Sequence, residues 1–390
     1  MKRLGNVWQY VIDENRAIDA IRDAIKYKRK HKNVQKLLLN DDGEFDVEKA
    51  RKYAKHLISL LETGTWKHKT PKHVRKFCRN KTSGKGKDRN LYIPSLEDHC
   101  IHHMLMQAVL PAFMKGMHPF SCGSIPNMGI KGVNHAVKRW LRTDKNNCKY
   151  FVKLDIRHFF DSIRADDLKR VIRRHIKDKR VLWGIDQIID SAPVACPIGY
   201  YPSPWFANLL LQDLDWMIEQ KLFKFRREKR IKYVKHYVRY MDDMLLIGTS
   251  KTDLYKAINI IKKYLKDNFD LDVKNSWEIK RVAVFKNGKL QKGTYWIDMC
   301  GYKFRSKCTI LRDGIFLALT RTVRKIKKKG YSTYHEMLSV VSRVGWSKMV
   351  NNVNLLTKYV EPCVKVKQLR RNISDVDKKR KRGIHKTVCN

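Results

Sequence analysis

The apolar positions of this chain change period from one stretch to the next, and each change marks a predicted element. In the first 80 residues they recur every three or four positions, in AIDAIRDAIKYKRKHKNVQKLL and again in DVEKARKYAKHLISLLETG. That spacing predicts basic amphipathic helices, with Gly64 as a stop. Residues 81 to 100, KTSGKGKDRNLYIPSLEDHC, break the period: a glycine-punctuated basic loop or hairpin runs into the short apolar LYIP, and a helix follows in IHHMLMQAVLPAFM. FSCGSIPNMGIKGVNHAVKRWL reads as a turn leading into a helix from about Val133. Residues 147 to 163, NCKYFVKLDIRHFFDSI, hold a β-rich apolar strand with Asp155 inside it. The helix ADDLKRVIRRHI comes next, its acidic residues at the N-terminal end where the helix dipole favours them.

From residue 196, CPIGYYPSPWFANLLLQDLDWMIEQKL is a Pro/Gly-rich loop that becomes an amphipathic helix. YVKHYVRY and MLLIGTS read as two strands joined at Asp242 and Asp243, since paired aspartates suit a tight turn. A helix, TDLYKAINIIKKYLKDNF, precedes short strands around DLDVKN, RVAVF and YWIDMCGYKF. Beyond about residue 310 the chain turns basic and helical. The pattern predicts an α+β chain in four parts: a basic helical extension over 1–80, a mixed body over 81–310, a helical unit over 311–365 and a basic tail over 366–390. The last run, KKRKRGIHKTVCN, is expected to settle only on nucleic acid.

Composition narrows the class. The chain has 390 residues, 43% of them hydrophobic, enough for a real core. Lys and Arg number 84 against 38 acidic residues, a formal charge of +46 spread along the whole length. Such an excess repels itself in a compact state, so a long polyanion is the expected partner. No 18-residue apolar stretch is present and the first residues lack the apolar core of a secretory signal, so a cytosolic protein without a membrane role is expected. The nine cysteines are scattered with no C-x-x-C pair, which predicts reduced thiols.

The chemistry begins with the carboxylates. An aspartate pair at a hairpin turn is, taken alone, an ordinary turn feature. Asp155 on one strand and Asp242 and Asp243 between two others could converge if those strands are neighbours, and three carboxylates together repel unless divalent cations lie between them. Oxygen ligands in a polyanion-binding protein point to Mg²⁺, and two such ions would activate a 3′-hydroxyl and stabilise a leaving pyrophosphate. Lys85, Lys87 and Arg89 in the basic loop suit a triphosphate.

The order of these features resembles reverse transcriptases, and more narrowly the bacterial retroelement type that includes group II intron, retron, diversity-generating and defence-associated enzymes. The resemblance covers roughly residues 80 to 360. It implies a right-hand polymerase with fingers and palm, an antiparallel sheet with packed helices, and a helical thumb. FVKLDIRHFFDSI is similar to the first metal-binding motif, which makes Asp155 a metal ligand with Ile156 beside it, and Phe160, next to Phe159, the steric gate that rejects a ribose 2′-hydroxyl. RYMDD matches the Y-x-D-D box, with Tyr240 against the substrate, Asp242 the second ligand and Asp243 its neighbour. RNLYIP and FSCGSIPNMG resemble the fingers motifs and support the role of Lys87 and Arg89. MCGYKF resembles the primer-grip hairpin, with Cys300, Gly301 and Tyr302.

Two positions depart from the family pattern. Ile198, before Gly199, stands where group II introns and retrons typically carry Gln, a position near the incoming base pair. Diversity-generating enzymes also carry an apolar residue there, yet Ser203 and Pro204 keep the intron-like pair. Ile125 stands where an arginine is common. The expected function is an RNA-directed DNA polymerase that copies a dedicated non-coding RNA in antiphage defence. Mutagenic copying by a diversity-generating system, or a non-catalytic RNA scaffold or maturase, stay open as alternatives. The expected partners are an RNA template, the DNA product and deoxynucleotides, with an accessory protein or a second copy left open. The residues after 312 are expected to form a thumb and no RNase H or integrase domain, so work alongside a dedicated RNA is expected.

Overall fold

The computed structural model describes residues 3–79, 86–287, 289–351 and 354–381. Its centre is a five-stranded sheet in the order Thr294–Tyr295, Lys280–Val282, Tyr150–Asp155, Asp243–Gly248, His236–Tyr240. All neighbours run antiparallel except the short outer pair Thr294–Tyr295 and Lys280–Val282, which is parallel. Strand side chains alternate between faces, and both faces here are apolar. Val152, Leu154, Tyr237, Met244 and Leu246 join one core with the helices Ala165–Arg173, Ser203–Leu210 and Lys251–Phe269. Phe151, Val238, Leu245 and Ile247 join the other, with the helix Gly129–Thr143, the strands Ile297–Met299 and Tyr302–Arg305, and the C-terminal helices.

Two predicted boundaries move. The strands Lys72–Arg79 and Gly86–Ile93 pair antiparallel as one hairpin, so a division at residue 80 would cut it in two. The helices before it are no appendage: Ala17, Ile21, Leu57 and Leu61 share a core with Ile101, Leu105 and Val109 of the helix Leu96–Lys115. The expected tail is also partly folded. Val366–Lys381 is a helix whose Leu369 is buried, and Tyr334 Oη donates to Asp377 Oδ1 at 2.7 Å. Val366, Leu369 and Ile373 recur at three and four residues, enough to pack one face against the helix Tyr334–Ser347 although charges surround them. Residues 382–390 lie outside the described residues, as does Lys85. DLDVKN contributes only an isolated bridge between Ile156 and Val273 in place of a strand.

The eight cysteines among the described residues are free thiols. No described helix is long and apolar enough to cross a membrane.

Candidate active site

The sheet register brings the predicted aspartates together. Tyr150–Asp155 and Asp243–Gly248 pair with Asp155 directly opposite Asp243, and Tyr240 is opposite Asp243 on the other side. Only Met241 and Asp242 connect the two strands, so Asp242 is held at the tip of a tight hairpin beside Asp155. Met241 takes the left-handed conformation, φ +58°, which an unbranched side chain enters only at a cost of about 1–3 kcal/mol. The surrounding structure imposes it. A Cβ on Gly123 would come within 2.6 Å of the Met241 nitrogen, so only glycine lets the two backbones approach this closely.

Electrostatics at this cluster show the expected conflict. Burial raises the Asp242 carboxyl above its ordinary range, and the charge of Asp155 raises it further. Burial also raises Asp243, against the pull of Lys153, whose Nζ is 3.2 Å from Asp243 Oδ1. Lys274 Nζ lies 2.5 Å from Asp155 Oδ1 as an ion pair, while that buried oxygen takes no aligned hydrogen bond. Ile156 is fully buried. Its bridge to Val273 is made by the flanking bonds Arg157 N to Asp272 O and Lys274 N to Asp155 O, so the Ile156 carbonyl itself stays out of the ladder. Among the described residues no three His, Cys, Asp or Glu side chains form a closed metal shell. Mg²⁺ rarely needs one, since one or two carboxylates plus substrate phosphates and water commonly complete its octahedron. Asp155, Asp242 and the Ile156 carbonyl fit such an open site.

The other predicted substrate residues are spread over the short helix Phe159–Ser162, the strand Gly86–Ile93 and the loop before Ser203–Leu210. Phe159 is buried and Phe160 half-buried, their rings meeting edge to face at 5.6 Å. The strand Gly86–Ile93 is tied to the loop before Ser203–Leu210, because Tyr92 N donates to Ile198 O at 2.8 Å. Gly199 follows at φ +118°, where an added Cβ would meet Tyr92 O at 2.4 Å. The loop is braced from below: the Tyr201 ring stacks on His103 at 3.7 Å and Tyr200 on His68 at 5.4 Å. Lys87 and Arg89 pair with Cys78 and Lys76 across the hairpin. Arg89 is exposed there, and the Lys87 side chain lies outside what the structure describes.

The profile of the family described as Reverse transcriptase (RNA-dependent DNA polymerase) matches residues 72–276, from the first strand of that hairpin past the helix Lys251–Phe269. The chain belongs to the reverse transcriptase family. Its relatives include the Retron Ec73 reverse transcriptase of Escherichia coli, 28% identical over 201 residues that make up 49% of this chain and 60% of the relative. Group II intron-encoded protein LtrA of Lactococcus lactis subsp. cremoris is 24% identical over 306 residues, 68% of this chain and 49% of that protein. The chain thus spans half to three-fifths of these relatives' length. Among solved structures, telomerase from Candida albicans in complex with a TWJ fragment of telomeric RNA superposes with a TM-score of 0.47 at 11% identity, over 85% of this chain and 60% of the other. Membership of the family carries the right-hand polymerase fold, and the aspartates lie on its central antiparallel sheet.

The reverse transcriptase palm also carries a device that sequence reading missed. Arg239, in the Y-x-D-D strand itself, is fully buried. Its Nε and Nη2 donate to the two oxygens of Asp215 at 2.7 and 2.6 Å, a bidentate pair. Nη1 donates to Asn208 Oδ1 at 2.9 Å and to Met241 O at 3.0 Å, and Nη2 also reaches Ser121 Oγ at 2.8 Å. Tyr237 Oη donates to Asp215 Oδ1 at 2.6 Å, and Asn208 Nδ2 to Gly123 O at 2.6 Å. Burial works against the Arg239 charge, but Asp215 outweighs it and holds the guanidinium protonated more firmly than a free one. One side chain therefore clamps the aspartate turn to the Ser203–Leu210 and Gln212–Gln220 helices and to the loop at Ser121. A signal was present: Arg239 shares the face of Tyr237 in an apolar strand, and Asp215 interrupts the apolar run LLLQDLDWMI.

The primer-grip candidates form a tight turn. Cys300 and Gly301, both at positive φ (+48° and +82°), join Ile297–Met299 to Tyr302–Arg305 in the manner of a type I′ hairpin. A Cβ on Gly301 would strike Trp346 at 2.4 Å. Tyr302 is buried, stacks on Trp346 at 5.5 Å and donates its hydroxyl to Trp346 O at 3.1 Å, which seats the hairpin on the thumb helices. Burial, and next the charge of Asp243, push the Cys300 thiol up to about 12, so this turn lies within electrostatic reach of the aspartates.

Proposed function

We propose that the chain is an RNA-directed DNA polymerase that joins deoxynucleotides to a primer by two-metal nucleotidyl transfer. The observation that carries this reading is the register of Asp155 against Asp243, with Asp242 on the two-residue turn clamped by Arg239. Asp155, Asp242 and the Ile156 carbonyl would hold Mg²⁺, which when bound acidifies the primer 3′-hydroxyl and neutralises charge on the leaving pyrophosphate. Lys153 and Lys274, ion-paired with Asp243 and Asp155, hold the carboxylates in place between turnovers. Lys87 and Arg89 would draw in the triphosphate, and Phe160 would bar a 2′-hydroxyl. Cys300, Gly301 and Tyr302 would carry the primer end to the aspartates on a hairpin fixed by Trp346. The test is extension of oligo(dT) on poly(rA) with dTTP and Mg²⁺. Wild type should extend it, and Asp242→Asn should lose at least about a hundredfold, because charge stabilisation of several kcal/mol goes with the ligand. Protein that holds RNA yet makes no DNA, in both forms alike, would return the scaffold reading.

The template in this proposal is a dedicated non-coding RNA and the product serves antiphage defence; similarity to a retron enzyme and to an intron-encoded protein supports a cognate RNA. Ile198, half-buried beside Gly199, favours mutagenic copying as a second reading, since a Gln side chain would supply a polar contact that Ile cannot. Sequencing nucleic acid purified with the protein from its own locus separates them. Faithful DNA complementary to one neighbouring RNA supports the first, and errors concentrated at template adenines the second.

A further inference from the structure

The helix Gly129–Thr143 has two unlike sides. Val133, Val137 and Leu141 are buried against the palm. On the outer side Lys131, Lys138, Arg139 and Arg142 recur at three- and four-residue spacing, with His135 among them. Facing them across a cleft of about 660 Å³ are Arg305 and Lys307, at the turn between the strands Tyr302–Arg305 and Cys308–Leu311. The walls are fixed to each other through the thumb. Lys138 Nζ donates to Met349 O at 2.5 Å, while Thr309 N donates to Asn351 Oδ1 at 3.1 Å and Asn351 N to Thr309 O at 3.0 Å.

No Asp or Glu lines this cleft, and none of its six Lys and Arg residues forms an ion pair among the described residues. Some cations elsewhere on the surface are paired: Arg164 and Arg170 share Asp167, and Arg173 meets Asp186. Six like charges around one rigid cleft repel, and an anionic occupant removes that repulsion. From Lys131 to Arg142 the stripe runs about 16 Å, longer than one nucleotide and matched to several successive phosphates. The floor offers little for stacking: Trp140 is buried, and the half-buried Phe120 meets it edge to face at 4.9 Å, which leaves His135 as the one exposed ring among the lining residues. Single strands bind such proteins by stacking bases on exposed aromatics, whereas double-helical RNA is held by backbone and shape. None of these residues belongs to the set around the aspartates.

We propose that this cleft binds the backbone of an RNA double helix, apart from the template and primer at the aspartates. The proposal rests on the polymerase reading, since it makes the helix a segment of the RNA that the enzyme copies or carries. The probe is a blunt RNA hairpin of about 20 base pairs, tested with the full chain. Lys131, Arg139 and Arg142 are exposed, so replacing all three with Ala should leave the fold intact. At about 0.15 M salt the triple variant should lose at least about tenfold in hairpin affinity, and its salt slope should shrink by about 2 to 3. Extension of oligo(dT) on poly(rA) should stay within about twofold of wild type. A control removing three charges elsewhere, Lys251→Ala with Lys256→Ala and Lys263→Ala, should keep most of the affinity. Unchanged hairpin binding overturns the proposal, as does an equal loss in the control. So does a fall in extension that tracks the fall in binding, which would assign these cations to the template path. If wild type makes no DNA and the triple variant still loses the hairpin, the polymerase reading fails and the cleft stands.

Discussion

Phe159 and Phe160 are neighbours in different surroundings. Phe159 is 2% exposed and belongs to the core beneath the sheet, so Phe159→Ala should cost about 3–5 kcal/mol and be read as a large drop in urea midpoint. Phe160 keeps one side open. Phe160→Ala should leave a folded enzyme that now incorporates ribonucleotides, measured as the ratio of kcat/KM for UTP and dTTP on poly(rA). Unchanged sugar selectivity would remove Phe160 as the gate. The same contrast separates Asp242 from Asp215. One carboxylate is raised by burial and by its like-charged neighbours; the other is fully satisfied by Arg239 and Tyr237.

Among elements, the Y-x-D-D hairpin is two strands and a turn whose placement depends on that clamp. Asp215→Asn keeps the shape but leaves a buried guanidinium without its countercharge, a loss of about 3–5 kcal/mol by analogy with other broken buried pairs. The palm should loosen where the turn meets Ser121 and Asn208, so hydrogen exchange at Arg239 to Asp243 should rise before global unfolding. If stability and exchange match wild type, the clamp is not what holds the turn. The helix Tyr334–Ser347 gives a second, pH-dependent case. Thr333 and Glu336 form a reciprocal capping box, and the Thr333 backbone N–H, followed by Lys329 and Lys325, holds the Glu336 carboxyl down at about 2. A depressed carboxyl stabilises the fold in full above its unfolded value and loses that contribution as pH falls toward the folded one. Glu336→Gln should therefore cost about 1 kcal/mol at pH 7 in urea unfolding. The gap should narrow steadily below about pH 4.5; a gap constant down to pH 3 would show that charge is not involved.

Across the whole molecule the +46 charge should make RNA binding steeply salt-dependent, with affinity falling by orders of magnitude between about 50 and 200 mM if six or more phosphates are neutralised. A flat response in filter binding would mean that the charge serves another partner. Much of this molecule was legible from the chain alone, for a physical reason: a carboxylate in an apolar strand is costly, so Asp155 and the Asp242 and Asp243 pair stand out from their surroundings. Arg239 did not, because its partners at 121, 208 and 215 are distant in sequence and only the fold assembles them. The hairpin strand Lys72–Arg79 was hidden because HVRKFC is too basic and too weakly alternating to differ from the helices before it. The last helix was hidden because Leu369 and Ile373 are sparse among charges. The pairing of Asp155 with Asp243 also governs how the chain is made. About 90 residues separate the two strands, and at about 5–20 residues per second a ribosome needs roughly 5 to 18 seconds to deliver the second after the first. For that interval the apolar Asp155 strand has an unpaired edge, so a nascent chain stalled between the two should be the form of this protein that chaperones hold and that aggregates when they do not.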